Sequence, residues 1–204
     1  NPAVNDEWLL SRYRGLDLTS ERGLLCGKIL ADLGAEVIKV ERPGGDTARH
    51  TGPFYEDVPH PERSLLWFAY NTNKKGITLD IENRDGQQLF KKLVKDVDFV
   101  LESFDPGYLD ELNLGYPKLR EINERVVLTS ITPFGCSGPY KDDRASDLTV
   151  MAMGGDVYMT GEPDRPPIRI SCDQAFLHAA SEAAVATAIG LYYSETSGRG
   201  QHVD

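Results

Sequence analysis

RGLDLTSERGLLCGKILADLGAEVIKVE, residues 14–41, is the stretch whose reading decides the fold. Arg14–Thr19 reads as a first strand. A helix over roughly Gly23–Leu33 follows and stops at Gly34, a residue that ends helices readily. Glu36–Glu41 (EVIKVE) is a second strand, closed by the turn Pro43-Gly44-Gly45-Asp46. Strand, helix and strand in close succession form a βαβ unit, which predicts a parallel sheet with crossover helices.

The same alternation continues outward. Gly76–Ile81 is a third strand, and Asp85–Lys95 a helix with Leu89, Phe90, Leu93 and Val94 on one face. Asp98–Glu102 (DFVLE) is the next strand, followed by a Pro-Gly turn and short helices from Tyr108 to Asn123. Val126–Thr132 (VVLTSIT) is apolar enough to lie inside a sheet. Val157–Thr160 and Pro167–Ser171 read as a β pair around the polar turn Gly161–Pro166. The last element, about His178–Ser194, is an alanine-rich helix, suited to close packing on a sheet. The expected fold class is α/β, a Rossmann-like open parallel sheet flanked by helices, within one domain over 1–204.

Composition narrows the function classes. The 204 residues are 40% hydrophobic, enough for one core, and carry a formal net charge of −10, which argues against a nucleic-acid groove. Local arginines and backbone N–H groups can still hold an anionic ligand. Cys26, Cys136 and Cys172 are odd in number and widely spaced, which suggests reduced thiols and a cytoplasmic protein without a disulfide framework or zinc site. Ser64–Tyr70, among the longest apolar runs, is far too short to span a bilayer, so no membrane association is expected.

Several familiar chemistries fail on their residues. A dinucleotide fold needs G-x-G-x-x-G in the first strand-to-helix turn. Here Asp17-Leu18-Thr19-Ser20-Glu21-Arg22-Gly23 offers one glycine. His50, His60, His178 and His202 show no i, i+4 pair or ligand cluster, so no metal is expected; His178 reads as a residue of a helix N-terminus. Three polar loops remain: Arg42–Asp46, Asn71–Gly76 and Gly135–Tyr140. Each reads as a solvated turn by itself, though loops at strand ends are where α/β sheets present ligands.

Taken in order, these segments resemble one family. ADLGAEVIKVERPGGD (31–46), NTNKKGITLDIENRDG (71–86), ESFDPGYLDELNLGY (102–116), INERVVLTSITPFGCSGPY (122–140), SDLTVMAMGG (146–155) and SGRGQHVD (197–204) are similar to class III CoA-transferases, the family of formyl-CoA transferase and carnitine CoA-transferase. The resemblance implies coenzyme A, carried as an acyl-CoA substrate, and an organic acid as second substrate. It implies that this chain is the N-terminal part of the large domain of an interlocked dimer, with a small domain and a C-terminal return beyond it. A homodimer and a hetero-oligomer with a homologous subunit are both compatible.

By position, the resemblance assigns CoA contacts to Arg42, to Leu79 and Asp80, to Ser103 and Phe104, and to the loop from Arg144 to Asp147. Glu111 stands where a family member has an arginine, and the turn after the first strand is one residue shorter than usual. The implied reaction runs through an aspartyl intermediate. Position along the chain gives Asp173 as that nucleophile. An ungapped register anchored on the downstream GRGQ turn puts Phe176 there instead, with Asp173 one turn earlier as a helix N-cap. Three functions follow: an active transferase using Asp173, a catalytically silent CoA-binding subunit, and an α-methylacyl-CoA racemase. The racemase branch has a His-Asp pair where this chain has Ser146-Asp147, and so lacks its imidazole base here.

Overall fold

The computed structural model describes residues 8–204. Six strands form one sheet: β1 (Arg14–Asp17), β2 (Glu36–Glu41), β3 (Lys75–Thr78), β4 (Phe99–Glu102), β5 (Val127–Ser130) and β6 (His202–Val203). They lie in the order β3-β2-β1-β4-β5-β6, every pairing parallel. The order reverses direction between β1 and β4, the switch point at which open α/β sheets form a crevice beyond their strand ends. This is the α/β architecture that the alternating sequence pattern predicts.

Strand residues alternate between two cores, as a sheet covered on both faces requires. Phe99, Leu101 and Val127 face one side with α1 (Leu24–Asp32) and α8 (Ala175–Ser197). Leu16, Val100 and Leu128 face the other, under α3 (Arg84–Val94), α4 (Tyr108–Glu111) and α5 (Tyr116–Ile122). Gly34, at φ 103°, turns the chain from α1 into β2. Phe90 and Val94 anchor α3, whereas Leu89, expected beside them, is half exposed.

One segment departs from expectation, and two helices stand where the sequence reading assigned no element. Residues 157–171 form no β pair. Asp156–Met159 is instead a helical turn, α7, entered through Gly155 at φ 92°, and Thr160 keeps a single link through its carbonyl to the Ile168 N–H at 3.0 Å. The apolar run at 64–70 is a helix, α2 (Leu65–Asn71), capped by the Ser64 hydroxyl. Asp147–Met153 is another, α6, whose Ser146 and Thr149 make a capping box. Local cap chemistry thus set the outcome where periodicity was weak. Helix α8 starts at Ala175, three residues ahead of the expected start, and puts His178 in its first turn. By length and mean hydropathy, 1.2 over an 18-residue window, α8 is a segment that could cross a membrane. Its Ala180, Ala184, Gly190 and Leu191 nevertheless pack into the domain.

Candidate functional site

Among the described residues, three grooves open beyond the C-terminal ends of the strands. Leu18 and Ser20 follow β1, and Arg42, Pro43, Asp46 and Thr47 follow β2. With Leu79–Glu82 after β3, and Phe104 and Tyr108 after β4, they line a groove of about 530 Å³. Four of the residues expected from sequence, Arg42, Leu79, Asp80 and Phe104, therefore converge on one surface. Phe104 and Tyr108 pack ring on ring, centroids 4.7 Å apart, and the Tyr108 hydroxyl donates to Glu82 Oε1 at 2.9 Å. Burial and the Glu82 carboxylate push the Tyr108 phenol up to about 12.

A buried charge network underlies this groove. Asp17 is sealed from solvent, with the Lys74 ammonium 2.8 Å from its Oδ2. Burial alone would raise the Asp17 carboxyl. The Lys74 and Lys39 charges, with hydrogen bonds from Lys74 and Thr19, outweigh it and hold the group below the usual carboxylate range. Lys39, 2% exposed, donates to the Thr19 carbonyl and lies 3.3 Å from Asp46 Oδ2. Asp46 Oδ1 in turn accepts the Ala48 N–H at 2.8 Å. The turn 42–46, which by itself looks like any solvated loop, is thus tied down from below.

A second groove, of about 510 Å³, opens between the turn after β1 and the N-terminus of α8. Glu21, Arg22, Ser146, Asp147, Arg169, Asp173 and Phe176 line it. Asp173 and Phe176, the two alternatives for one position, face the same space. Asp173 is exposed and ion-paired with Arg169. It does not cap α8, because the N-cap position falls to Gln174, which makes no side-chain cap. The cap comes from outside the helix: Asp147 Oδ1 accepts the Phe176 N–H at 3.3 Å. Asp147 is buried, and its Oδ2 has no hydrogen-bond partner among the described residues; the Arg169 guanidinium stands 3.8 Å away. The Arg22 guanidinium lies 6.0 Å from the centre of the Phe176 ring.

Arg144 does not join the first groove. It lines a third cleft, of about 360 Å³, with Arg22, Asp105 and Lys141. Arg22 is common to the second and third grooves, and Ser20 and Phe104 border the first, so the three adjoin along the switch point. Ser103 lines none of them: it is buried, and its hydroxyl accepts the Ser20 N–H at 2.9 Å. Arg169, Tyr108, Glu82 and Asp46 escaped the sequence reading. Only Asp46, closing the PGGD turn, had a visible signal. Among the described residues no cluster of three or more His, Cys, Asp or Glu side chains is arranged for a metal.

Comparison with known proteins covers nearly the whole chain. The chain is 41% identical over 194 residues to subunit BbsE of succinyl-CoA:(R)-benzylsuccinate CoA-transferase from Thauera aromatica, covering 95% of this chain and 47% of that protein. It is 43% identical over 183 residues to succinyl-CoA–D-citramalate CoA-transferase from Chloroflexus aurantiacus, covering 89% and 44%. Among solved structures, a CaiB/BaiF family protein from Brucella suis superimposes with a TM-score of 0.89 at 38% identity, over 97% of this chain and 52% of that one. The chain therefore spans about half the length of these relatives. The family pattern described as CoA-transferase family III matches residues 14–204, from the first residue of β1 past the end of β6. Sheet order, sequence and match all agree, and the chain belongs to CoA-transferase family III.

Proposed function

We propose that this chain is the CoA-binding, N-terminal portion of a transferase that moves CoA between an acyl-CoA thioester and a carboxylic acid. One observation carries the reading: Arg42, Leu79, Asp80 and Phe104 line one groove, which adjoins, across Ser20–Arg22, a second groove holding Asp173. CoA is long and polar at its nucleotide end. Arg42 would take a phosphate, while Leu18, Val40, Ile81 and Phe104 supply apolar wall. The thioester would then lie toward Arg22 and the N-terminus of α8. Arg144 and Asp147 border that end rather than the nucleotide end.

In the active reading, the Asp173 carboxylate attacks the acyl carbonyl and CoA leaves as thiolate. The thiolate then attacks the aspartyl carbonyl of the mixed anhydride, which frees the donor acid and leaves an aspartyl-CoA thioester. The acceptor carboxylate repeats these two steps in reverse and departs as its CoA ester. For Asp173 to attack, its bond to Arg169 must open.

A second reading has its own support. Phe176, not an acid, stands where Asp147 caps α8, and the relative from Thauera aromatica is itself a subunit. In that reading this chain binds CoA, and a homologous partner in a cytoplasmic, interlocked dimer supplies the carboxylate. The racemase is disfavoured, because Ser146 in the second groove offers no imidazole.

Trapping separates the readings. The full-length protein, with any homologue that co-purifies, is incubated with succinyl-CoA and treated with hydroxylamine or borohydride. An adduct at Asp173 supports catalysis on this chain. CoA binding with an adduct only on the homologue supports the silent subunit. No CoA binding at all sinks both.

A further inference from the structure

Ser103 matches a CoA-contacting position of the family, yet its hydroxyl is spent on the protein itself. It accepts the Ser20 backbone N–H at 2.9 Å. The other polar end of the same peptide unit, the Thr19 carbonyl, accepts a hydrogen bond from the buried Lys39 ammonium. One residue earlier, the Thr19 N–H is held by Asp17 Oδ1 at 2.9 Å. Three successive backbone groups in the turn after β1 are therefore fixed by side chains of β1, of β2 and of the residue after β4.

Such fixing has a reason. The Thr19–Ser20 peptide leads into the turn that the Gly23 N–H closes on the Ser20 carbonyl at 2.9 Å, so its orientation sets the direction in which that turn leaves β1. This peptide stands where the chain divides two sites: Ser20 lines the first groove, and Glu21 and Arg22 line the second. Lys39 also reaches Asp46 at 3.3 Å, in the loop that carries Arg42. The turn after β1 and the loop after β2 are thereby referenced to one ammonium.

We infer that Lys39 and Ser103 are positioning residues that clamp the Thr19–Ser20 peptide and so set the wall shared by the two grooves. Ser103 then acts through Ser20 rather than on the ligand. The inference rests on reading the grooves as the CoA site, and its test keeps the two apart.

In the full-length protein, Ser103→Ala removes the acceptor for the Ser20 N–H and a longer contact of 3.4 Å with the Ser20 hydroxyl; Ser103→Thr keeps the hydroxyl. Amide hydrogen exchange at residues 19–23 and calorimetric CoA affinity are measured for each, beside the thermal midpoint. The clamp predicts faster exchange at Ser20 and CoA binding weakened about fivefold, the effect of one buried hydrogen bond. The thermal midpoint should fall by only about 2 °C, and Ser103→Thr should restore exchange and affinity together. Wild-type exchange in Ser103→Ala overturns the proposal, as does faster exchange with unchanged CoA affinity. Absence of CoA binding by the wild-type protein would sink the CoA reading, while faster exchange at Ser20 would still support the clamp.

Discussion

Glu102 ends β4 with its carboxyl almost sealed from solvent, its Oε2 accepting the Phe104 N–H at 2.7 Å. Burial pushes this group up, against the pull of the Ser130 hydroxyl and the Phe104 N–H in the other direction. Its folded value therefore lies above the unfolded 4.5. The stability it contributes is complete below that value and is lost as pH rises through the folded one. Asp17 has the opposite sign: its contribution is present above the unfolded 3.8 and is lost as pH falls through the depressed folded value. Glu102→Gln keeps an oxygen for the Phe104 N–H and removes the buried charge. It should raise the thermal midpoint near neutral pH, where the buried carboxyl would otherwise have to ionise. The gap to wild type should close as pH falls toward 4.5. A constant gap across that range would refute the assignment of the cost to ionisation.

Helix α3 shows how an element positions a ligand residue. Asn83 caps it through the Gly86 N–H at 2.8 Å and donates to Asp80 Oδ2 at 2.8 Å, so the helix start and the groove wall are one unit. A methyl group at position 86 would run into the Asp80 carbonyl. Gly86→Ala should cost about 1–3 kcal/mol in denaturant unfolding, the range for overpacking a tight contact. A variant as stable as wild type would show that Asp80 yields freely.

Elements of this kind were unevenly legible in the sequence. Strands β2, β4 and β5 could be read because their apolar, β-branched runs are largely buried, and β1 because it opens the βαβ alternation. Residues 157–171 were misread because short alternating runs also fit a helical turn behind a left-handed glycine. Arg42 and Phe104 were reachable through resemblance, but the occupation of Ser103 by Ser20 was not. That depends on a contact spanning 83 positions, which no local pattern encodes. The Asp173–Phe176 ambiguity likewise survives from sequence into structure, since both side chains enter the same groove.

At the scale of the molecule, the domain leaves apolar surface uncovered. Val185, Ile189 and Tyr192 on α8 are 57%, 62% and 68% exposed, and Met153, Tyr158 and Met159 extend the pattern over α6 and α7. Relatives are about twice as long as the matched region. The isolated 204-residue chain should therefore bind a hydrophobic dye such as ANS and melt broadly. A sharp melt without dye binding would count against it.

The pairing of β6 with β5 also has a consequence in time. Ser130 meets His202 across 72 positions, and Thr129 meets Thr187 across 58. At about 5–20 residues per second, several seconds of synthesis separate these partners. Until α8 and β6 emerge from the ribosome, β5 presents a bare hydrogen-bonding edge and α1 a bare apolar flank. The nascent chain is thus vulnerable to wrong pairing before α8 and β6 arrive, and a chaperone that shields β5 would act in that interval.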